Sequence, residues 1–201
     1  MRVSGGRWRG RRLRMDRRLV VRPTADRVKE ALFSILALDV PGVLVVDLCC
    51  GAGGLGIEAL SRGAVRAVFV DRDRRSLELT AANLAACGAD PATYRLVRSD
   101  ARRWLAAAGR DVAGEDVLVV ADPPYGTGLA AELAAGIGDL ALRVPLRAAA
   151  LEHAAEEMLP SVGPLVPDRR RYGRTALTIL RPDESEPAGA GEPGAEPPPG
   201  S

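Results

Sequence analysis

Apolar residues in this chain alternate between short unbroken runs and stretches where they recur every three or four positions. Val43-Leu44-Val45-Val46-Asp47-Leu48, Val65 to Asp71, Tyr94 to Val97 and Val117 to Val120 have the length and β-branched content of buried strands. Helices are expected at Ile57 to Arg62, at about Arg74 to Ala86 ending near Gly88, at 101–108, and at about Leu129 to Leu140. Residues 147–152 and 175–180 read as two more strands, with loop-rich Val162 to Arg171 between them. Upstream, Thr24 is expected to cap a helix from Ala25 to about Leu38, with Val28, Leu32, Ile35 and Leu36 as its apolar stripe and Pro41-Gly42 as its stop. Strands alternating with helices predict an α/β fold: a mostly parallel sheet with helices on both faces.

The two ends of the chain read differently. Residues 1–22 set arginines among small or apolar residues and predict a short β-hairpin or extended arm. Nine arginines fall in this arm against one acid, Asp16, so it reads as a contact for a polyanion. Trp8 among them either stacks on a base or anchors the arm. From Pro182 the tail is Pro, Gly, Glu, Ala, Asp and Ser, with no apolar residue larger than alanine, and predicts disorder. Three parts follow: a basic arm (1–22), a folded domain (23–181) and an acidic tail (182–201).

Composition adds limits. At 201 residues with 47% hydrophobic content, one domain with a real core is expected. No apolar run approaches the ~18 residues of a membrane helix, and no apolar segment of a signal peptide follows the basic N-terminus. Cys49, Cys50 and Cys87 form neither a disulfide framework nor a zinc spacing, so no metal is expected and a reducing cytoplasm is the simplest setting. His153, the single histidine, reads as a packing residue, and Arg169-Arg170-Arg171 as a further phosphate contact.

The candidate chemistry sits where strands end. Asp122-Pro123-Pro124-Tyr125 follows the 117–120 run, so a carboxylate emerges at a strand's carboxyl end, where open α/β sheets bind ligands. Two prolines stiffen the backbone, and Tyr125 offers a stacking face. Asp122 and the Pro123 carbonyl can both accept from an exocyclic amine on a planar ring. A strand ending in a Pro-Pro turn with a partly buried tyrosine is the plainer reading of the same residues.

Gly51-x-Gly53-x-x-Gly56 joins a strand to a helix, and Asp71 at the next strand end can accept from both hydroxyls of a ribose. Alone, this pattern also fits a nicotinamide-binding fold. Asp47, four residues before Gly51, would oppose a pyrophosphate and favour a cationic ligand such as S-adenosylmethionine. Asp100, at the third strand end, can accept from an adenine amine.

Asp47-x-x-x-Gly51-x-Gly53, Asp71, Asp100 and Asp122-Pro-Pro-Tyr125 resemble class I methyltransferases acting on an exocyclic amine. Arg7-Trp8-Arg9-Gly10, Arg22-Pro-Thr24-x-Asp26-Arg27-Val28-x-Glu30-Ala31-Leu32-Phe33, Gly56-Ile57-Glu58-Ala59-Leu60-Ser61-Arg62-Gly63-Ala64 and Tyr172-Gly173 narrow the resemblance to the RsmD family. Cys49-Cys50-Gly51-Ala52-Gly53-Gly54 departs from that family's usual Phe-Ala-Gly-Ser-Gly-Ala while keeping both glycines.

The resemblance implies a Rossmann-like class I methyltransferase with a seven-stranded, mostly parallel sheet. It implies methylation of N2 of a guanine in 16S ribosomal RNA, on the small subunit or its precursor. Asp47, Gly51, Gly53, Gly56, Asp71, Arg72, Asp100 and Ala101 would bind S-adenosylmethionine. Asp122, Pro123, Pro124 and Tyr125 would be catalytic, and Arg7, Trp8, Arg9, Arg22 and Thr24 would meet the RNA. A monomer with no membrane partner is expected. An N6-adenine methyltransferase and a non-catalytic RNA-binding assembly factor remain alternatives.

Overall fold

The apolar runs become the parallel core of one sheet in the computed structural model, which describes residues 1–15, 23–108, 112 and 114–183. Five parallel strands, β1 (Leu44–Leu48), β2 (Arg66–Asp71), β3 (Tyr94–Arg98), β4 (Val117–Ala121) and β5 (Leu146–Ala154), are joined by β7 (Thr175–Pro182), antiparallel to β5, and β6 (Leu165–Tyr172), antiparallel to β7. The order across the seven-stranded sheet is β3-β2-β1-β4-β5-β7-β6. Helices α1 (Pro23–Ile35), α2 (Gly54–Ser61), α3 (Arg74–Cys87), α4 (Ala101–Ala107) and α5 (Leu129–Ala141) cover both faces. This is the Rossmann-like class I methyltransferase architecture.

Every residue of β1 and β4 is buried, as expected of strands packed on both faces. Alternation along β1 divides the core. Leu44, Val46 and Leu48 pack in one cluster with Trp104 and Leu105 of α4 and with Leu133 and Ile137 of α5. Val45 packs in the other with Leu32 and Phe33 of α1, Ile57 of α2 and Leu84 of α3. Burying such a side chain stabilises by roughly 1.5–3 kcal/mol. From β1 the chain winds outward to β2 and β3. From β4 it winds the other way, to β5. The loops after β1 and β4 therefore diverge, and the crevice between them is the ligand site of an open α/β sheet.

Three boundaries differ from expectation. Helix α1 begins at Pro23, so Thr24 lies in its first turn rather than capping it; proline suits this place because its missing N–H needs no partner there. Helix α2 begins at Gly54, inside the glycine pattern. Residues 165–172, expected as loop, form β6, an edge strand in which only Leu165 is buried. An edge strand tolerates Pro167 and a run of charges because one side has no ladder to complete, so its pattern lacks a buried strand's signature. The first thirteen residues double back on themselves: the Val3 amide donates to the Arg11 carbonyl at 2.9 Å, Gly10 to Val3 at 2.9 Å and Leu13 to Met1 at 3.1 Å, Arg2 bridges Arg12, and a 3-10 turn occupies Gly6–Trp8. The expectations for Arg22 and for disorder beyond residue 183 lie outside the described residues. Among those described, no helix is long and apolar enough to cross a membrane.

Candidate active site

The turn after β1 is built by three glycines with different duties. Gly53 has φ +77°, and a Cβ there would sit 2.7 Å from Thr80 Cγ2. A Cβ on Gly56 would sit 2.3 Å from Phe69 Cε1. Both keep protein packed on protein. Gly51 also has positive φ, but a Cβ there would meet nothing within 4 Å, so its backbone borders open space. Cys49 adopts φ +58°, the one left-handed non-glycine among the described residues. Such a conformation costs on the order of 1–3 kcal/mol.

Helix α3 braces this turn. Thr80 Oγ1 donates to the Gly51 carbonyl at 2.9 Å, and Asn83 Nδ2 donates to the Ala52 carbonyl at 2.9 Å. Asn83 also accepts from the Arg14 amide at 2.8 Å, which ties the arm to the turn. Neither side chain was singled out from the sequence. The available signal was two polar residues, both 0% exposed, on the face of α3 that carries Leu77, Leu84 and Cys87.

Two carboxylates hold this turn, and a third follows β3. Asp47, 1% exposed, accepts from the Gly56 amide at 2.8 Å. Burial, opposed by that hydrogen bond and assisted by the charge of Asp71, pushes its pKa up to about 7. Asp71 accepts from the Gly51 amide at 2.9 Å and the Asp73 amide at 2.8 Å, so it is oriented before any ligand arrives. Asp100 caps α4 through the Arg102 and Arg103 amides and pairs with the Arg102 guanidinium at 3.0 Å. Hydrogen bonding from Arg102 holds its carboxyl at about 2. Ala101 opens α4 and is buried; Arg72 is exposed and its carbonyl accepts from Arg98.

Cys49 lies at the head of the turn. Burial first, then the charges of Asp71, Asp47, Asp122 and Asp100, push its pKa to about 12. Asp47, Asp71, Asp100 and Asp122 stand at or just beyond the carboxyl ends of β1, β2, β3 and β4, on one side of the sheet. Cys50 is likewise raised, chiefly by burial, and packs near Thr80. Among the described residues no three His, Cys, Asp or Glu side chains are grouped as a metal ion would need.

Across the crevice, Asp122 is exposed, Pro123 buried, Pro124 exposed and Tyr125 half-buried. The Tyr125 hydroxyl donates to Glu152 Oε1 at 2.8 Å and lies 3.1 Å from Thr175 Oγ1. With its one proton given to Glu152, it accepts from Thr175. Burial, with the nearby Glu152 carboxylate, raises the phenol well above its ordinary range, so the ring is neutral and tethered. Thr127 Oγ1 donates to the Pro124 carbonyl at 2.8 Å and closes the turn. Glu152 and Thr175 were not anticipated, because they lie on β5 and β7, far from Tyr125 in sequence. His153 is a packing residue as expected. It is 0% exposed, with Nδ1 donating to the Ala154 carbonyl, so Nε2 accepts from Thr178. Burial lowers its pKa.

The arm is fixed by a buried acid. Glu58, 0% exposed, accepts from the Ser4 amide, the Ser4 hydroxyl and the Gly5 amide, each at 2.8 Å. It also pairs with Lys29 at 2.9 Å and Arg62 at 2.8 Å. Burial pushes its pKa up, but the Ser4 hydrogen bond and Lys29 outweigh that and lower it. Trp8, offered above as an RNA contact, is 8% exposed and its amide donates to Ser61. It anchors the arm in the core and has no free face for a base. Arg7 lies over its ring at 4.1 Å, and Arg7 and Arg9 are exposed. Arg22 and the Thr24 side chain lie outside the described residues.

Two clefts, of about 110 and 380 Å³, open at the other end of the sheet, by the first residues of β1 to β3 and by Pro145 and Pro182. Neither touches the acids or the glycine turn, so neither is this site.

The family model described as "Conserved hypothetical protein 95" matches residues 1–181. "Putative rRNA methyltransferase YlbH" of Bacillus subtilis is 36% identical over 183 residues, 90% of this chain and 98% of that protein. "Ribosomal RNA small subunit methyltransferase D" of Escherichia coli is 39% identical over 132 residues, 66% of this chain and 64% of that protein. Among solved structures, the Thermus hypothetical protein TTHA0928 superposes with a TM-score of 0.73 at 27% identity, covering 90% of this chain and 99% of that one.

Proposed function

The chain belongs to the RsmD family, and from that membership and its site geometry we propose that it transfers a methyl group from S-adenosylmethionine to N2 of a guanine in 16S ribosomal RNA, on the small subunit or its precursor. The observation that carries the reading is Asp122-Pro-Pro-Tyr125 at the end of β4, across the crevice from the acid-lined turn after β1.

S-adenosylmethionine fits this donor set. Its sulfonium and α-ammonium are cations, and the Asp47 and Asp71 carboxyl groups both hold amides of the turn. A pyrophosphate there would meet the same field as repulsion. Gly51, Gly53 and Gly56 would underlie the nucleoside, Asp71 and Arg72 would border its ribose, Asp100 and Ala101 its adenine, and Asp47 its amino group. Asp71 has capacity for hydroxyl donors beyond the two amides it already accepts, since a carboxylate offers about four acceptor positions. Bound there, the cofactor supplies an electrophilic methyl group on sulfur.

The chain's own residues do the rest. Tyr125 gives the extruded base a stacking face, held in place by Glu152 and Thr175. Asp122 and the Pro123 carbonyl accept from the two N–H bonds of N2, which directs the nitrogen lone pair away from the ring. The amine becomes acidic as its bond to carbon forms, and its proton passes to Asp122 or to water. No strong base is needed, and most of the acceleration comes from orientation and placed charge.

Ribosomal RNA as the substrate is supported by the names of the relatives and by the arm. Arg2, Arg7, Arg9, Arg11, Arg12 and Arg14 are all exposed, and no ion pair joins any of them to another described residue. Such a face suits phosphates. The test is Asp122→Ala. Methyl transfer should fall by about 100-fold or more while S-adenosylmethionine affinity stays within about threefold. Normal turnover by that variant would remove Asp122 from the reaction.

A further inference from the structure

Asn83 suits its place only if its amide is needed there. It lies within α3, 0% exposed, beside the buried Leu84. Asparagine is a weak helix former, and a buried amide is costly wherever a partner is missing. Here both of its hydrogens are placed. Oδ1 accepts from the Arg14 amide at 2.8 Å, and Nδ2 donates to the Arg14 carbonyl at 3.0 Å and to the Ala52 carbonyl at 2.9 Å. Turned over, the amide would set N–H2 against the Arg14 N–H and its oxygen against two carbonyls, so only one orientation serves.

The two residues it joins belong to different surfaces. Ala52 lies in the glycine turn, where the cofactor is placed above. Arg14 is exposed and belongs, with Arg12, to the face that suits phosphates. Thr80, three residues earlier on α3, holds the neighbouring Gly51 carbonyl at 2.9 Å and lies against Cys50, so it braces the turn from the same helix. Ser4, Gly5 and Trp8 fasten the arm to Glu58 and Ser61, later in α2. Asn83 hydrogen-bonds arm and turn at once.

We propose that Asn83 is a positioning residue that couples the arm to the cofactor turn, so that RNA and S-adenosylmethionine each tighten binding of the other. This rests on the methyl-transfer reading given above. Two states of one contact carry the coupling. With Arg14 seated on Asn83, Arg12 and Arg14 stand in one fixed arrangement and the Ala52 carbonyl keeps its donor. With Arg14 lifted, Asn83 loses two of its three hydrogen bonds and can rotate away from Ala52. RNA favours the seated state through the fixed arginines, and the cofactor favours it through the braced turn. A ligand shifts such an equilibrium only by its differential affinity, and linkage makes the two effects equal.

The test is the affinity for small-subunit particles lacking the modification, with and without saturating S-adenosylhomocysteine, which fills the cofactor site and cannot be turned over. Wild-type protein should bind the particles about fivefold or more tighter with it present. Asn83→Ala should bring that ratio to within about twofold. Thr80→Val, which unbraces Gly51 but leaves Arg14 seated, should weaken S-adenosylhomocysteine binding and keep the ratio at saturation. Should Asn83→Ala fail to fold, the exposed Arg14 decides. Arg14→Ala and Arg14→Pro both lose the guanidinium, but only proline loses the amide donor, so alanine should keep most of the ratio and proline should lose it. A wild-type ratio within twofold, a ratio that survives in Asn83→Ala or Arg14→Pro, or one lost in Thr80→Val or equally in both Arg14 variants, would overturn the proposal. Wild-type protein that fails to bind S-adenosylhomocysteine or the particles at all would overturn the underlying reading and this proposal with it.

Discussion

Asparagine at position 47 should make the protein more stable at pH 8 and poorer at holding its cofactor. Asp47 is 1% exposed, and its hydrogen-bond donor among the described residues is the Gly56 amide. Burial, with help from the charge of Asp71, raises its pKa from 3.8 to about 7. Between about pH 4 and 7 the folded protein therefore holds a proton that the unfolded chain has released. Stability falls as pH rises through that window and stays low above it.

At 1.36 kcal/mol per tenfold change, that gap amounts to at most ~4 kcal/mol. Asparagine keeps an acceptor for Gly56 and removes the ionisation, but brings an N–H2 group that costs about 1–3 kcal/mol if it finds no partner. A net gain of about 1–3 kcal/mol at pH 8 is expected, with no gain at pH 5. Urea melts of both proteins at the two pH values, without cofactor, measure it. Calorimetric titration with S-adenosylmethionine at pH 8 should show the variant binding more weakly. A variant less stable than wild type at pH 8, or equally stabilised at both pH values, would refute the reasoning. The Gly56 hydrogen bond would then outweigh burial.

Three further outcomes follow from the same contacts. Tyr125→Phe should lower kcat by roughly tenfold with little change in cofactor affinity, since the hydroxyl tethered by Glu152 and Thr175 sets the ring's position; unchanged kcat would show that packing alone holds it. Glu58→Gln strands the buried Lys29 ammonium and should cost about 3–5 kcal/mol in a urea melt, with the arm cut faster by trypsin. Because the Glu58 pKa is lowered, that stabilisation is present above about pH 4.5 and fades as pH falls through the folded value, so the two proteins should converge in acid. Replacing Arg9, Arg11 and Arg12 by alanine should weaken RNA binding and flatten its salt dependence, read as the slope of log affinity against log salt, while leaving cofactor binding intact.

What was legible in the sequence was whatever depends on near neighbours. The buried strands announced themselves as β-branched runs, and Asp71, Asp100 and Asp122 fell at their ends because a parallel sheet puts all those ends on one side. The glycine turn was legible because its spacing is local. Partners contributed by other strands were not. Glu152 and Thr175 reach Tyr125 across β5 and β7, and Glu58 reaches Ser4 across 54 residues of chain. Strand β6 was hidden by its edge position, where one neighbour suffices and charges replace the apolar alternation. Trp8 shows the limit of composition. Six exposed arginines within the first 14 residues make the arm strongly basic, but only packing tells that the tryptophan among them faces inward.

The central claim is most directly tested by incubating the protein with S-adenosylmethionine labelled in its methyl group and small-subunit particles lacking this modification, with naked 16S ribosomal RNA and DNA alongside, then digesting to nucleosides. Label in N2-methylguanosine at a single site, on the particle or the free ribosomal RNA and not on DNA, is the predicted result. Label in N6-methyladenine, or cofactor binding without transfer to any of the three, would contradict it.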